Sequence, residues 1–291
     1  MFQSIGRGWI FIKQSWLLGQ KTPAVLFPTL ISVLTTILTT IIMLLPIAGL
    51  IIYIRKNVWG QVAIGAVIGL LLIIIVAVIH VLTVMSSNLA GAALLERKPN
   101  TADAWKKMSD LGGDLYTMGL GLPVNRLWIA IHKLFSKSSR IRTWEEADHL
   151  FIPVLANEEI RFRQAPGRIS QIQLDNCVFT AEGVGIQKMV LILTAAALLV
   201  GLAAGLGMGW LILSKGQDAS QSRALAFATA ALLIAIFTLP VVSYLAYAKT
   251  LFNTCLYLWG RSVRDARKQG SARAAAVPDP LAVALGIRPG R

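Results

Sequence analysis

Apolar residues are collected into four long runs along the chain. The runs lie at about residues 24–54, 62–95, 189–213 and 225–259. Each is longer than the roughly 20 residues that a helix needs to cross about 30 Å of hydrocarbon. A soluble core would instead repeat its apolar residues with a period of about 2 or about 3.6. The pattern therefore predicts four transmembrane helices.

Short polar connections join these runs in pairs. Arg55 and Lys56 lie in the connection after the first run, and Lys215 lies in the connection after the third. We therefore expect two helical hairpins, at residues 24–95 and 189–259. The predicted fold is an all-α integral membrane protein, with four transmembrane helices arranged as two hairpins that flank a helical cytoplasmic domain.

Residues 1–23 predict an amphipathic helix at the membrane interface. Ile5, Trp9, Ile12 and Trp16 follow a helical spacing of i, i+4, i+7 and i+11. Tryptophan rings favour the depth of the lipid head groups, so this face is suited to the interface. The same face is also compatible with packing on the cytoplasmic domain, and the sequence leaves both interpretations open.

The central region and the C-terminal tail are more polar than the four runs. Residues 96–188 mix basic and acidic side chains with helix-capping signals, such as Asn100 or Thr101 ahead of Ala102, and predict a helical cytoplasmic domain. Residues 260–291 are rich in Arg, Ala, Gly and Pro and predict a basic, largely disordered tail. We expect the first apolar run to be a retained span, because it is too long for the apolar part of a signal peptide.

The chain carries a strong excess of positive charge. It has 28 Lys and Arg against 14 Asp and Glu, a formal net charge of +14. In a soluble chain this excess would favour nucleic acid as a partner. Here the basic residues concentrate outside the two hairpins, as expected for cytoplasmic segments that contact anionic lipids. The distribution predicts cytoplasmic N and C termini and membrane lipids as partners, and no nucleic-acid partner.

Small residues recur at every fourth position in two of the runs. They are Ala197, Gly201, Gly205 and Gly209 in the third run, and Gly65 and Gly69 in the second. In lipid, such stripes let two helix backbones approach closely. The spacing predicts helix-packing surfaces and suggests that the second and third spans meet. Whether the partner helix is internal, a second copy or another membrane protein stays open.

Polar residues inside the first two runs form a second candidate site. They are Thr36 in the first run, and His80, Thr83 and Ser87 in the second. Ser and Thr hydroxyls can bond carbonyl groups of their own helix, which favours helix packing, but the same faces also fit a solute pathway. An ionisable side chain in hydrocarbon is costly and usually faces the interior of a helix bundle. For His80, a neutral hydrogen-bonded ring is favoured over a proton relay or a pigment ligand.

No motif in the sequence predicts catalysis, a cofactor or a metal. Glu145 and His149 are four residues apart, but without a second histidine pair they indicate a solvated helix face. The two cysteines, Cys177 and Cys255, lie in different regions and predict no disulfide framework. The sequence also lacks the motifs of phosphate-binding loops and nucleophile elbows. An enzyme is therefore not the expected class.

Three segments carry a resemblance to a family of membrane proteins. They are GRGWIFIKQSWLLGQKTPAVLFPTLIS at Gly6–Ser32, SSNLAGAALLERKPNTADAW at Ser86–Trp105 and TWEEADHLFIPVLANEEI at Thr143–Ile160. With these segments the chain resembles an uncharacterised family of prokaryotic polytopic membrane proteins, domain of unknown function 6159. The resemblance implies a prokaryotic inner (plasma) membrane location. It supplies no activity and no catalytic residues.

These features favour a non-catalytic integral membrane subunit or scaffold. Such a protein packs against other membrane protein subunits or against copies of itself in a homo-oligomer. The alternative is a transporter or channel for a small or lipidic solute, with a pathway along the polar faces around His80. A membrane-embedded enzyme is a third hypothesis, and it requires titratable groups clustered in a cleft.

Overall fold

The computed structural model describes residues 2–53, 58–111, 149–158, 160, 164–174, 179–215, 219–270 and 277–287. These residues are almost entirely helical and contain no β-strand. The helices are, in chain order, α1 (Phe2–Lys21), α2 (Phe27–Tyr53), α3 (Val58–Leu94), α4 (Thr101–Asp110), α5 (residues 149–157), α6 (Ala165–Leu174), α7 (Phe179–Lys215), α8 (Ala219–Lys268) and α9 (Asp279–Leu285). A 3-10 turn at Pro23–Leu26 connects α1 to α2. The all-α prediction is confirmed for this part of the chain.

Within the described ranges, three helical segments are long and apolar enough to cross a membrane. They are Pro23–Ile42, Gly185–Lys215 and Ser222–Lys268. Large apolar side chains on α7, such as Leu199 and Trp210, are largely exposed on the protein, as expected for a helix that faces lipid. The described part of the chain is therefore all-helical, with helices of the length and composition found in membrane proteins. The remaining predicted span, residues 62–95, falls on α3, and both this span and the two hairpins stay predictions.

The chain divides into two compact units. The first unit consists of Met1–Thr29, His80–Val190 and Ala246–Arg291, and the second of Leu30–Ile79 and Leu191–Leu245. Helices α3, α7 and α8 each contribute residues to both units. The predicted boundaries between membrane and cytoplasmic segments, at residues 95/96, 188/189 and 259/260, stay predictions.

One face of α1 is buried in the core of the first unit. Phe11 makes an edge-to-face contact with Phe252 of α8, with ring centroids 5.2 Å apart and an interplanar angle of 89°. The Tyr247 hydroxyl donates a hydrogen bond of 3.2 Å to the backbone carbonyl of Ser15. Gly8 approaches Gly185 so closely that a Cβ at position 8 would lie 2.8 Å from the Gly185 carbonyl oxygen. Both aromatic and backbone contacts therefore fix α1 in this unit.

Helix α9 is ordered within the segment that the sequence predicts to be largely disordered. It spans Asp279–Leu285, and its apolar residues Leu281, Ala282 and Ala284 are buried, in part against α1. Gly286 ends the helix in the left-handed conformation, with φ of 71°. Composition alone suggested disorder because the tail is rich in Arg, Ala, Gly and Pro. Three buried side chains in one short stretch are sufficient to fix this helix on a preformed surface.

Candidate functional site

Buried polar side chains connect α3, α5 and α8 in the first unit. Asn157 Nδ2 donates to the Pro153 carbonyl oxygen at 2.9 Å and, over a longer distance of 3.4 Å, to Ser87 Oγ. The Ser87 and Thr254 hydroxyl oxygens are 2.8 Å apart. Thr254 donates its only hydroxyl hydrogen to the Thr250 carbonyl oxygen at 2.8 Å, so Ser87 is the donor to Thr254. The result is a directional chain of hydrogen bonds across three helices.

Gly91 allows α3 and α5 to approach each other at this point. A Cβ at position 91 would collide with the side-chain oxygen of Asn157. One turn earlier on α3, Asn88 Nδ2 donates to the Ala156 carbonyl oxygen at 2.8 Å. The two asparagines therefore bind the ends of α3 and α5 together, and the glycine leaves room for them.

An ion pair lies next to these hydrogen bonds. Arg168 Nε donates to both carboxylate oxygens of Glu158, at 3.0 and 2.8 Å, and the Tyr257 hydroxyl donates to Glu158 Oε1 at 2.7 Å. The Glu158 side chain is 14% exposed and that of Arg168 is 26% exposed. Burial raises the pKa of Glu158, but the hydrogen bonds from Arg168 and Tyr257 outweigh it and leave the pKa below its ordinary value. The carboxylate is therefore charged at neutral pH.

We call these residues the polar junction: Ser87, Asn88, Gly91, Asn157, Glu158, Arg168, Thr254 and Tyr257. Its side chains bond to one another and to nearby backbone carbonyl groups. Such a network holds helices in one arrangement, because a buried polar group that loses its partner is costly. The bonds join α3, α5 and α8, an arrangement suited to holding these helices together.

The predicted intramembrane polar site is divided between the two units. Ser87 belongs to the polar junction, and Thr83 is half-buried on the same helix in the first unit. Thr36 is buried in the second unit and donates to the Ser32 carbonyl oxygen of its own helix at 2.7 Å. His80 lies in α3, and its side chain falls outside the described part of the structure. The bond within α2 favours the packing interpretation for Thr36.

The glycine stripe on α7 packs against α8 in the second unit. A Cβ at Gly205 would lie 2.8 Å from the carbonyl oxygen of Ala230, and one at Gly201 would lie 3.1 Å from Thr238 Oγ1. A Cβ at Gly209 would meet the Ala226 carbonyl oxygen at 3.6 Å. Glycine Cα–H groups thus point at oxygen atoms of α8, in the weak hydrogen-bonding arrangement common at close helix contacts. Ala197, the first residue of the stripe, is half-buried.

The shorter stripe on α3 has a different environment. No described atom lies within 4 Å of the position that a Cβ would occupy at Gly65 or Gly69. At Gly201, Gly205 and Gly209, by contrast, the nearest atoms all belong to α8. The two stripes are therefore not brought together in the described structure, and the suggested contact between the second and third spans is not seen there.

The weak metal candidate of the sequence lies largely outside the described residues. Glu145 is among the residues that the structure does not describe, and His149 opens α5 and is engaged in an interaction of its own. Across the described ranges, no group of three or more His, Cys, Asp or Glu side chains has metal-binding geometry. Cys255 is a buried free thiol in α8, and Cys177 lies outside these ranges.

Sequence reasoning missed most of the polar junction. Asn88, Asn157 and Glu158 lie in two of the three segments that carry the family resemblance, but nothing in their spacing indicates that they meet. The sequence does place asparagine and glutamate beside apolar helical residues. This is a usable signal, because a buried polar side chain requires a hydrogen-bond partner. Arg168 and Tyr257 gave no comparable signal.

Comparison of the chain with protein-family models, with curated proteins and with solved structures finds no match. The resemblance of the three segments therefore stays a prediction. Function has to be argued from the residues and their contacts alone.

Proposed function

We propose that the protein is a non-catalytic integral membrane scaffold or subunit, which packs against another membrane protein or a second copy of itself through α3. The observation that carries the proposal is the open space beside the stripe formed by Gly65 and Gly69. The α7 stripe contacts α8, whereas no described atom approaches the α3 stripe within 4 Å. Small-residue stripes in lipid are packing surfaces, because apolar character alone does not hold helices together there.

The proposal includes four membrane spans with both termini on the cytoplasmic side of a prokaryotic inner membrane. Helix α3 has 37 residues, about 55 Å at a rise of about 1.5 Å per residue, which exceeds the hydrocarbon thickness. The contacts between α7 and α8 run in opposite order along the two helices, as in a hairpin. The concentration of Lys and Arg outside the two predicted hairpins supports the orientation.

The polar junction supports a scaffold in preference to an enzyme. The Glu158 carboxylate accepts hydrogen bonds from both Arg168 and Tyr257, so it is engaged within the junction. The junction connects the end of α3 to α5 and α8. A partner that packs along α3 would therefore contact a helix whose position is fixed at one end.

The proposal predicts that bulky residues in the α3 stripe separate the protein from its partner. The double variant Gly65→Leu, Gly69→Leu should retain the fold, because the stripe is open, but should lose the close helix contact. The protein is purified from native membranes in mild detergent, and native mass spectrometry identifies its assembly. We expect a dimer or a stoichiometric complex for the wild type and a monomer for the double variant.

Leu70→Phe is the control, since Leu70 is an exposed residue of the same helix that lies about 100° or more around the helix axis from both glycines. It should leave the assembly intact. A wild-type protein that is a monodisperse monomer without a stoichiometric partner contradicts the proposal. An unchanged assembly in the double variant would show that α3 is not the packing surface.

A further inference from the structure

The outer face of α1 combines large apolar side chains with positive charge. Trp9 is 52% exposed and Trp16 is 49% exposed, although each lies close to residues buried on the inner face. Exposed Ile10 and Leu17 flank the two rings, and exposed Lys13 lies between them. Helix α1 contains three basic residues and no acidic residue, so the positive charge of this face is not neutralised within the helix.

The structure changes the face that the sequence predicted for this helix. Ile12 was expected to lie beside Trp9 and Trp16, but it is only 6% exposed. The inner face is instead formed by Gly8, Phe11, Ile12, Ser15 and Gly19, all of which are buried. The exposed side is therefore centred on Trp9, Lys13 and Trp16, at positions i, i+4 and i+7.

We propose that this face binds the head-group region of an anionic phospholipid membrane. Chain continuity places the end of α1 at the membrane, because α1 ends at Lys21 and the first candidate span begins at Pro23. Tryptophan favours the head-group depth, and lysine is attracted by anionic lipid phosphates. The inner contacts to Phe252 and Tyr247 hold the helix so that this face stays outward.

A lipid surface fits the face better than a protein partner does. The centres of protein interfaces are depleted of lysine, whereas Lys13 lies at the centre of this face. At a lipid surface, in contrast, the aliphatic part of a lysine can cover apolar surface while its ammonium group reaches the head groups, and interfacial helices carry both basic residues and Trp or Leu. The proposal is independent of the proposed function, because α1 does not include the α3 stripe.

The test measures whether Trp9 and Trp16 contact lipid in the full-length protein. Wild type and the single variants Trp9→Phe and Trp16→Phe are reconstituted in nanodiscs of phosphatidylcholine, with or without phosphatidylglycerol. A fraction of the lipid carries bromine near the head group and quenches nearby tryptophan. The emission of each ring is the difference between wild type and variant. Trp105→Phe is the matched control, since Trp105 of α4 is also 52% exposed.

We expect brominated lipid to quench most of the Trp9 and Trp16 emission and little of the Trp105 emission. Phosphatidylglycerol should increase the quenching of Trp9, and Lys13→Glu should abolish this increase while leaving the thermal unfolding midpoint unchanged. If aqueous acrylamide quenches Trp9 and Trp16 as readily as it quenches Trp105, the face is exposed to water and the proposal is wrong. If Trp9 and Trp16 are protected from both brominated lipid and acrylamide, the face contacts protein and the proposal is also wrong.

Discussion

Gly205→Ala is expected to destabilise the second unit, although alanine is normally the better helix former. The added methyl group would lie 2.8 Å from the Ala230 carbonyl oxygen and 3.1 Å from Ile234 Cγ1, too close for either to remain in place. Because the first of these atoms belongs to the backbone, α7 and α8 must move apart. Overpacking of this kind costs about 1–3 kcal/mol. The measurement is the thermal unfolding midpoint of the purified protein in detergent.

Gly207→Ala is the matched control for this substitution. Gly207 lies two residues away on the same helix, is exposed, and has no described atom within 4 Å of its Cβ position. Alanine there gains helix propensity without a clash, which is worth up to about 1 kcal/mol. The two substitutions should therefore shift the midpoint in opposite directions. Equal shifts would mean that the close contact between α7 and α8 does not exist in the protein.

Glu158→Ala should destabilise the first unit more than any other single loss of charge in the described structure. The substitution removes the acceptor of both Arg168 and Tyr257 and leaves a largely buried guanidinium without its partner. Loss of one member of a buried ion pair lowers the free energy of unfolding by about 3–5 kcal/mol. Because this pair is partly exposed to solvent, we expect a loss of roughly 2 kcal/mol here. The double variant Glu158→Ala, Arg168→Ala should lose less than the sum of the two single variants, because neither group is then left alone.

The contribution of Glu158 to the stability of the first unit also depends on pH. The pKa of Glu158 in the folded protein lies below the ordinary value of 4.5, because the hydrogen bonds from Arg168 and Tyr257 outweigh burial. Its stabilising contribution is therefore complete above about pH 4.5 and is lost as the pH falls through the lowered pKa. Glu158→Gln should remove this part of the acid sensitivity in thermal unfolding.

An exposed ion pair provides the control for Glu158. Arg261 and Asp265 are 3.8 Å apart and roughly half exposed. Such pairs contribute about 0–1 kcal/mol, so Asp265→Ala should change stability little. A Glu158→Ala variant that is no less stable than Asp265→Ala would contradict the structural role assigned to the polar junction.

The features predicted correctly depend on properties that are local in sequence. Helical, membrane-spanning character follows from the length of the apolar runs, and three such helices are present. Asn100 caps α4 as its position predicts, with its side chain accepting a hydrogen bond from the Ala102 amide. The glycine period on α7 predicts a packing surface, but the period is the same whichever helix lies opposite. The contact with Ala230 could be read only from the structure.

The features that were missed depend on pairs distant in sequence. The bond between Tyr257 and Glu158 joins residues 99 positions apart, and the one between Ser87 and Thr254 joins residues 167 positions apart. A single sequence carries no information on which buried polar groups satisfy each other. For the same reason, the apolar residues of α9 could not be recognised as a packing face until α1 was seen beside them.

The most direct test of the proposed membrane scaffold is the location of its two termini. Green fluorescent protein, which fluoresces in the bacterial cytoplasm but not after unfolded export, is fused to the N terminus in one variant and to the C terminus in another. An alkaline phosphatase insertion between α2 and α3 reports export of that connection. Four spans predict fluorescence from both fusions and phosphatase activity from the insertion. Termini on opposite sides of the membrane, as three spans require, would contradict the account and remove α3 as a packing surface within the membrane.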